Sequence, residues 1–481
     1  MRKLFIMVMT IALITPVLYL PLTTHAAPVF GKEAIDEYVE RYLERNGLPG
    51  ASIVIVKDGE IVHSKGYGHD SEGSPITEHS LMRIASVSKS FTAFAVLQLI
   101  DEGAIKLDDP VVRHLPELTM DDHRFGQVTI RHLLSHTSGI PNPTIVPKAD
   151  TVEQGIKRLH RWQLQSNPGD RYSYSNANYW ILSWLVENVS GMELAAYLDT
   201  KVFSPLRMGD SLSAVNSGDE IPELPRGYVT AYGTAIPITG MEQMFSGSGG
   251  IVTTASDMGK WLSMHTNDGV SPSGERLLST SLLEESYSPQ PSSENYGLGW
   301  SLSSSRVEPQ RISHSGSLSS FQAQQDIIPS SGYAIAVMLN SFSTTFEHSY
   351  EMSSGIIKLT EGQEPAMKAP VPTIIDLSLG LLTLLVLGFG IRGIKRSSNW
   401  SHKRQQHSAL RYYLRLIPQL ISIAGIGWLM FIVPNLQDNS ATFQDIFRLW
   451  PAFAVLLTVI FLYAAFVTGM RIYYRIRGGE S

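Results

Sequence analysis

The sequence predicts an α+β fold: an antiparallel sheet flanked by helices, with a helical subdomain set into it and apolar helices of membrane-spanning character at its C-terminal end. Three observations predict it. Strand-like runs lie at both ends of residues 27–370, the stretch between them is patterned for helices, and three long apolar runs come after them.

Taken in order, residues 32–45 (KEAIDEYVERYLER) place Ile35, Tyr38, Val39 and Tyr42 at helical spacing and stop at Asn46-Gly47, which predicts an amphipathic helix. ASIVIVK and EIVHSKGYG then flank Asp58-Gly59, a pair that tolerates φ > 0 at both positions and so predicts a hairpin. Residues 91–100 (FTAFAVLQLI) are apolar on nearly every side and end at Gly103, which predicts a helix buried all round. Residues 105–260 mix helical patterns with loops rich in Pro, Gly, Asn and Ser and read as the inserted helical subdomain. Beyond Gly297 strands return, as RISHS, FQAQQDII and YAIAVMLNS with a turn at Pro329-Ser330-Ser331-Gly332. The sheet is thus built from both ends of the domain, and no internal repeat is visible.

At roughly 150 residues per unit, 481 residues make about three units. Hydrophobic residues are 43%, charged residues 17%, and mean hydropathy is +0.01, a balance that excludes disorder and points to contact with lipid. Up to residue 370 there are 27 Lys and Arg against 40 Asp and Glu; beyond it there are 11 against 4. An acidic domain with its basic excess beside apolar runs excludes a nucleic-acid partner. The absence of cysteine excludes disulfides, thiolate metal sites and a cysteine nucleophile. No metal or cofactor is expected.

The N-terminus reads as a secretory signal, residues 1–26: Met1-Arg2-Lys3, an apolar stretch over 4–22, then Thr24 and Ala26 as a small-x-small cleavage site. An uncleaved anchor is the alternative, and either one exports the domain behind it. The three C-terminal runs, 373–391, 416–433 and 450–470, each approach the ~20 residues that cross a bilayer. For the first two a buried helical hairpin is the alternative. Seven Lys and Arg with no acid lie in 392–415, and Arg471, Arg475 and Arg477 lie in the tail, so both belong in the cytoplasm and residues 27–370 outside it. Gly388, Gly390 and Gly393 spell G-x-G-x-x-G, but they end a membrane run and open no helix after a strand, so a dinucleotide site is not expected.

The chemistry begins at Ser86-Val87-Ser88-Lys89. Among fourteen lysines only Lys89 has a serine three residues before it. Residues i and i+3 share a helix face, so the amine can reach the hydroxyl, and a lysine desolvated in a pocket can accept the proton of an otherwise weak nucleophile. Alone, the string reads first as a capped helix start with a solvated lysine. A second element, Tyr174-Ser175-Asn176, sets a phenol and a carboxamide on one polar turn, a proton shuttle and an amide donor. A third, His314-Ser315-Gly316, lies on a predicted strand where small residues admit substrate to the backbone, and the N–H of Ser317 with that of Ser86 can form an oxyanion hole. His136 and Trp300 are expected to be structural.

With these motifs in this order, the sequence resembles the serine β-lactamase and penicillin-binding protein family, in its class-C-like branch, which includes D-amino-acid-specific peptidases and esterases. The resemblance covers about residues 30–360 and includes HLLSHTSG (132–139), GSGGIVTTASDMGKW (247–261) and YGLGW (296–300). It implies the β-lactamase/transpeptidase-like fold. It also implies that Ser86 is the acylated nucleophile, Lys89 its proton acceptor and Tyr174 the group that passes protons to the leaving group and from the deacylating water. Asn176 would orient the substrate amide, and His314, Ser315 and Gly316 would line the opposite wall. The departure is His314, where the best-known β-lactamases of this branch carry Lys-Thr-Gly; a histidine of pKa ~6.5 is mostly neutral at pH ~7 and makes a weak cation.

The expectation is therefore a membrane-anchored, extracytoplasmic serine hydrolase acting on peptide or ester substrates of the cell envelope, with β-lactams as acylating agents and membrane lipid as its other partner. The alternatives are a true β-lactamase and a non-hydrolytic envelope sensor.

Overall fold

The computed structural model describes residues 31–142, 149–241, 243–304, 306–432 and 443–478, so the expected signal at 1–26 lies outside the described residues. Helix α1 (Lys32–Asn46) buries Ile35, Tyr38, Val39, Tyr42 and Leu43 along one face and ends at Gly47, whose φ of 62° lets its N–H return to the last turn. Strands β1 (Gly50–Lys57) and β2 (Glu60–Gly68) form the expected hairpin. Asp58 and Gly59, at φ 48° and 84°, both take the left-handed conformation that a two-residue turn demands.

Strands β3 (Ile312–Ser317), β4 (Gln322–Ile328) and β5 (Tyr333–Leu339) complete an antiparallel sheet ordered β2-β1-β5-β4-β3, with Ser301–Leu302 on the far edge. The N- and C-terminal parts meet where β1 pairs β5, with Ala51 opposite Leu339 and Ile53 opposite Val337. Alternation sorts the central strands between two cores. Ile53, Ile55, Ile335 and Val337 join α1 and α5 (His348–Thr360), whereas Val54, Val56, Ala336 and Met338 join the helical side.

On that side α2 (Ser88–Asp101) is buried from Ser88 to Leu99, as the all-round apolar pattern requires. It packs on α3 (Asn176–Ser190) and α4 (Ala255–Thr266), and the rings of Phe91 and Trp261 stack at 3.8 Å. Such a pair adds about 0.5–1.5 kcal/mol beyond its buried area. A polar chain ties sheet to helix: Trp261 Nε1 donates to Gln325 on β4, Gln325 donates to Ser90, and Ser90 donates to the Val87 carbonyl.

The middle of the chain departs from the all-helical expectation. Gly227–Ala231 and Thr234–Ile238 form a hairpin beside Ser341–Phe342. Its outer strand is largely exposed and carries Pro237 on an edge, where a strand tolerates proline.

The three apolar runs become α6 (Val371–Lys395), α7 (Ile417–Gly427) and α8 (Pro451–Arg477). Helices α6 and α8 are long and apolar enough to cross a membrane, while α7 is shorter and runs into a π-type turn at Trp428–Ile432. A buried hairpin for the first two runs does not form, since Leu381, Leu384 and Ile421 are 61–66% exposed. Gly390 and Gly393 of α6 lie against Tyr463 and Val467 of α8, the packing role of small residues between apolar helices.

Candidate active site

The strand Met82–Arg83 delivers the chain to a 3₁₀ turn, Ala85–Val87, that opens directly into α2. Ala85 is held at φ 50°, a conformation L residues adopt only under tertiary constraint, and the turn presents Ser86, half-buried, at the head of the helix. Three residues on, Lys89 is fully buried, and its Nζ lies 3.0 Å from Ser86 Oγ, 2.8 Å from Asn176 Oδ1 and 2.7 Å from the Ser248 carbonyl oxygen. Its partners are all uncharged. Burial holds its ammonium well below the usual lysine pKa.

Tyr174 hydroxyl donates to Ser86 Oγ at 3.0 Å, and Lys89 Nζ lies 5.0 Å from the centre of its ring. Burial raises its pKa above that of a free phenol, offset in part by the bond to Ser86, so it is a neutral donor. Its loop is propped from beneath by His136, whose ring lies 4.3 Å from that of Tyr174. His136 Nδ1 accepts from Ser175 N–H at 3.2 Å and from Asn178 Nδ2 at 2.9 Å, which assigns the ring proton to Nε2. Burial pushes its pKa well down, and His136 is a structural support, as expected. Trp300 likewise packs in the core against His265 and Tyr287.

The backbone of 246–250 closes the floor. Gly247 has φ 71°, and a β-carbon there would sit 2.3 Å from the Tyr179 carbonyl, so only glycine fits. Thr92 donates to the Gly247 carbonyl, and Trp180 Nε1 donates to Ser248 Oγ, which together fix the carbonyl that Lys89 uses.

Strand β3 forms the opposite wall. A β-carbon on Gly316 would lie 2.2 Å from the Ile84 carbonyl oxygen and 3.0 Å from Ser86 N, so glycine brings the strand against the nucleophile turn. Ser317 is exposed and lines the cleft, while Ser315 Oγ donates to Gln324 Oε1 at 2.7 Å. His314 is buried, with Nδ1 2.7 Å from the Ser315 carbonyl and Nε2 3.0 Å from Tyr296 hydroxyl. Nδ1 therefore carries the proton and Nε2 accepts. Burial takes its pKa down to about 3, so it is uncharged. The sequence-predicted residues Ser86, Lys89, Tyr174 and Asn176 are thus brought into one hydrogen-bonded cluster beside Gly316 and Ser317, and His314 is turned into the protein behind it. The open cleft has a volume of about 490 Å³, and Ser86, Asn176, Ser248 and Ser317 are among its lining residues.

The beta-lactamase family model matches residues 35–352. The chain belongs to the beta-lactamase family. It is 27% identical over 327 residues to Protein flp of Staphylococcus aureus (strain N315), over 64% of this chain and 63% of that protein. The chain thus spans less than two thirds of that relative's length. Among solved structures, it is similar to the octameric penicillin-binding protein homologue from Pyrococcus abyssi, with TM-score 0.59 and 26% identity over 69% of this chain and 78% of the other. It shares its fold with the D-amino acid amidase of Ochrobactrum anthropi, with TM-score 0.58 and 23% identity over 69% and 98% of the two chains. The family is one of serine hydrolases with this mixed helical and antiparallel architecture.

Sequence reasoning missed three participants. Ser248 was visible only inside the string 247–261, with nothing to mark its carbonyl as a lysine partner. Tyr296 opens YGLGW, yet its bond to His314 depends on tertiary approach. Leu449, in the cleft wall, lies more than three hundred residues from Ser86 and carries no chemical signature.

Proposed function

We propose that this chain is a membrane-anchored serine hydrolase whose domain lies outside the cytoplasmic membrane and which forms an acyl-enzyme on Ser86 with peptide or ester substrates of the cell envelope. The network at Ser86 carries this reading. A neutral lysine has two N–H donors and one lone pair. Asn176 Oδ1 and the Ser248 carbonyl can only accept, so they take both donors and leave the lone pair facing Ser86 Oγ. Tyr174 donates to the same oxygen.

In this reading Ser86 Oγ attacks the substrate carbonyl carbon and its proton passes to the Lys89 amine. The N–H groups of Ser86 and Ser317 hold the oxyanion, and the carboxamide NH₂ of Asn176 steadies the substrate amide. As the C–N or C–O bond breaks, Tyr174 hands a proton to the leaving group and is reprotonated from Lys89. Water then attacks the acyl ester as its proton passes through Tyr174 to the free Lys89 amine, and the acid leaves as that proton returns to Ser86 Oγ. With His314 neutral and engaged, the wall lacks the fixed cation that would seat a β-lactam carboxylate, which supports penicillin acylation without fast turnover. Orientation outside the cytoplasm is supported by the basic ends of α6 and α8, at Arg392, Lys395, Arg475 and Arg477.

The test is intact-mass spectrometry on the full chain, wild type and Ser86→Ala, with a fluorescent penicillin and a panel of D-Ala-D-Ala peptides and esters. A Ser86-dependent adduct with hydrolysis of a peptide or ester is the expected result. Rapid nitrocefin turnover would instead make it a true β-lactamase. A sensor is the second reading, favoured by the contact of Leu449 with the cleft; a stable adduct with no hydrolysis across the panel would select it.

A further inference from the structure

The wall of the cleft is not supplied by the hydrolase domain alone. Leu449 lines the same cavity as Ser86, and the next residue, Trp450, caps α8. The Leu449 carbonyl accepts from Thr344 Oγ1, which pins it beside Phe342, another lining residue. A second bridge runs through the hairpin that sequence patterning missed. Gly227 and Ile238 line the cleft, while the turn of their hairpin rests on the apolar helices. There Tyr232 N–H donates to Asp376 Oδ2 of α6 at 3.2 Å, Tyr232 hydroxyl reaches the Ala452 carbonyl of α8 at 3.5 Å, and Gly233 abuts Thr373. Trp450 Nε1 donates to the other oxygen of Asp376 at 2.9 Å, so one carboxylate clasps both apolar helices and the hairpin.

The depth of this junction is set by the charges. The basic residues at the far ends of α6 and α8 lie at the cytoplasmic face, so Asp376, Trp450 and Tyr232 lie at the outer one, where tryptophan and tyrosine belong. Farther along α6, Leu377, Leu381 and Leu384 are exposed, the apolar surface that a bilayer would cover. The Leu449 wall of the cleft therefore adjoins the headgroup level. A soluble site would have to draw an amphiphile out of the bilayer, whereas a site here can receive the head while the hydrocarbon part stays in place.

Resting on the proposed hydrolase and membrane readings, we infer that the substrate is a bilayer-held amphiphile, an acyl ester or amide in the head region of a lipid-anchored molecule, admitted past Leu449. The experiment uses the full chain in phosphatidylglycerol vesicles with two esters of one acyl donor: soluble N-acetyl-D-alanine p-nitrophenyl ester and bilayer-held N-palmitoyl-D-alanine p-nitrophenyl ester. Ser86→Ala sets the background. The expected result is a kcat/KM at least tenfold higher for the palmitoyl ester, and a ratio that falls at least fivefold in Leu449→Trp, which narrows the entry. An unchanged ratio in Leu449→Trp would mean that lipid merely concentrates the ester and would overturn the inference. Ser86-dependent turnover without preference would overturn it and leave the hydrolase reading standing; turnover of neither ester with no Ser86 adduct would overturn both.

Discussion

Lys89 Nζ donates to the Ser248 carbonyl oxygen at 2.7 Å, a shorter contact than the 3.0 Å that separates it from Ser86 Oγ. The amine is thus anchored by acceptors that neither charge it nor share a proton with it. Nothing compensates the burial, and the free base is the form that fits.

Arginine at this position keeps the donors but cannot be deprotonated. Lys89→Arg should lose as much Ser86 acylation as Lys89→Met, about 10²–10⁴-fold in each case. Stopped-flow acylation by the fluorescent penicillin measures this. Because the lysine pKa is depressed and the neutral amine is required, wild-type acylation should fall as pH drops through that pKa, not rise. A rate that stays flat to low pH would show that Lys89 does not accept the proton.

Tyr174→Phe removes the donor to Ser86 and leaves the ring on His136. Acylation should drop about 10²–10⁴-fold, more for amides than for esters with good leaving groups, which need less protonation. Thermal unfolding should change by no more than about 1 kcal/mol, the worth of one hydrogen bond. Equal losses for amides and activated esters would remove Tyr174 from the leaving-group step.

Gly316→Ala places a methyl group 2.2 Å from the Ile84 carbonyl oxygen, where backbone must yield. The strand should shift off the nucleophile turn, costing about 1–3 kcal/mol as overpacking does. Acylation should fall with it. A variant with wild-type Tm and wild-type acylation would mean that the strand is not held at this spacing.

His265, His314 and His348 are buried with pKa values taken down by burial to about 3, 3 and 4. Their folded pKa values lie below the unfolded ~6.5, so their contribution to stability is present above pH ~6.5 and is lost as pH falls toward 4. Tm should be level near neutrality and decline steadily below pH 6.5. His348→Gln should flatten part of that slope in differential scanning fluorimetry, and an unchanged slope would exclude His348 as a source.

What the sequence disclosed was what neighbours along the chain decide. Asp58-Gly59 fixes a hairpin by its own dihedrals, residues 91–100 are apolar on every face and so must be buried, and Ser86 reaches Lys89 within one helical turn. The convergence of Tyr174 and Asn176 on that pair was legible through motif order, since no local rule joins residues nearly ninety apart. The hairpin of 227–238 was hidden because its outer strand is exposed, short of apolar alternation and interrupted by Pro237. The neutrality of His314 was legible from its residue type, but its burial against Tyr296 was not. Run 416–433 looked like its neighbours in composition, but its helix is shorter and runs into a π-type turn at Trp428–Ile432.

The pairing of Ala51 with Leu339 bears on how the molecule is made. Strand β1 leaves the ribosome among the first and waits for a neighbour that leaves nearly three hundred residues later. Contacts of such sequence separation form slowly, and the side of β1 away from β2 is an open edge in the meantime. For a chain made in order, Ser86 stays without its strand wall until β5 has emerged to join that wall to β1, and any chain cut short before Leu339 lacks the sheet on which the nucleophile turn rests.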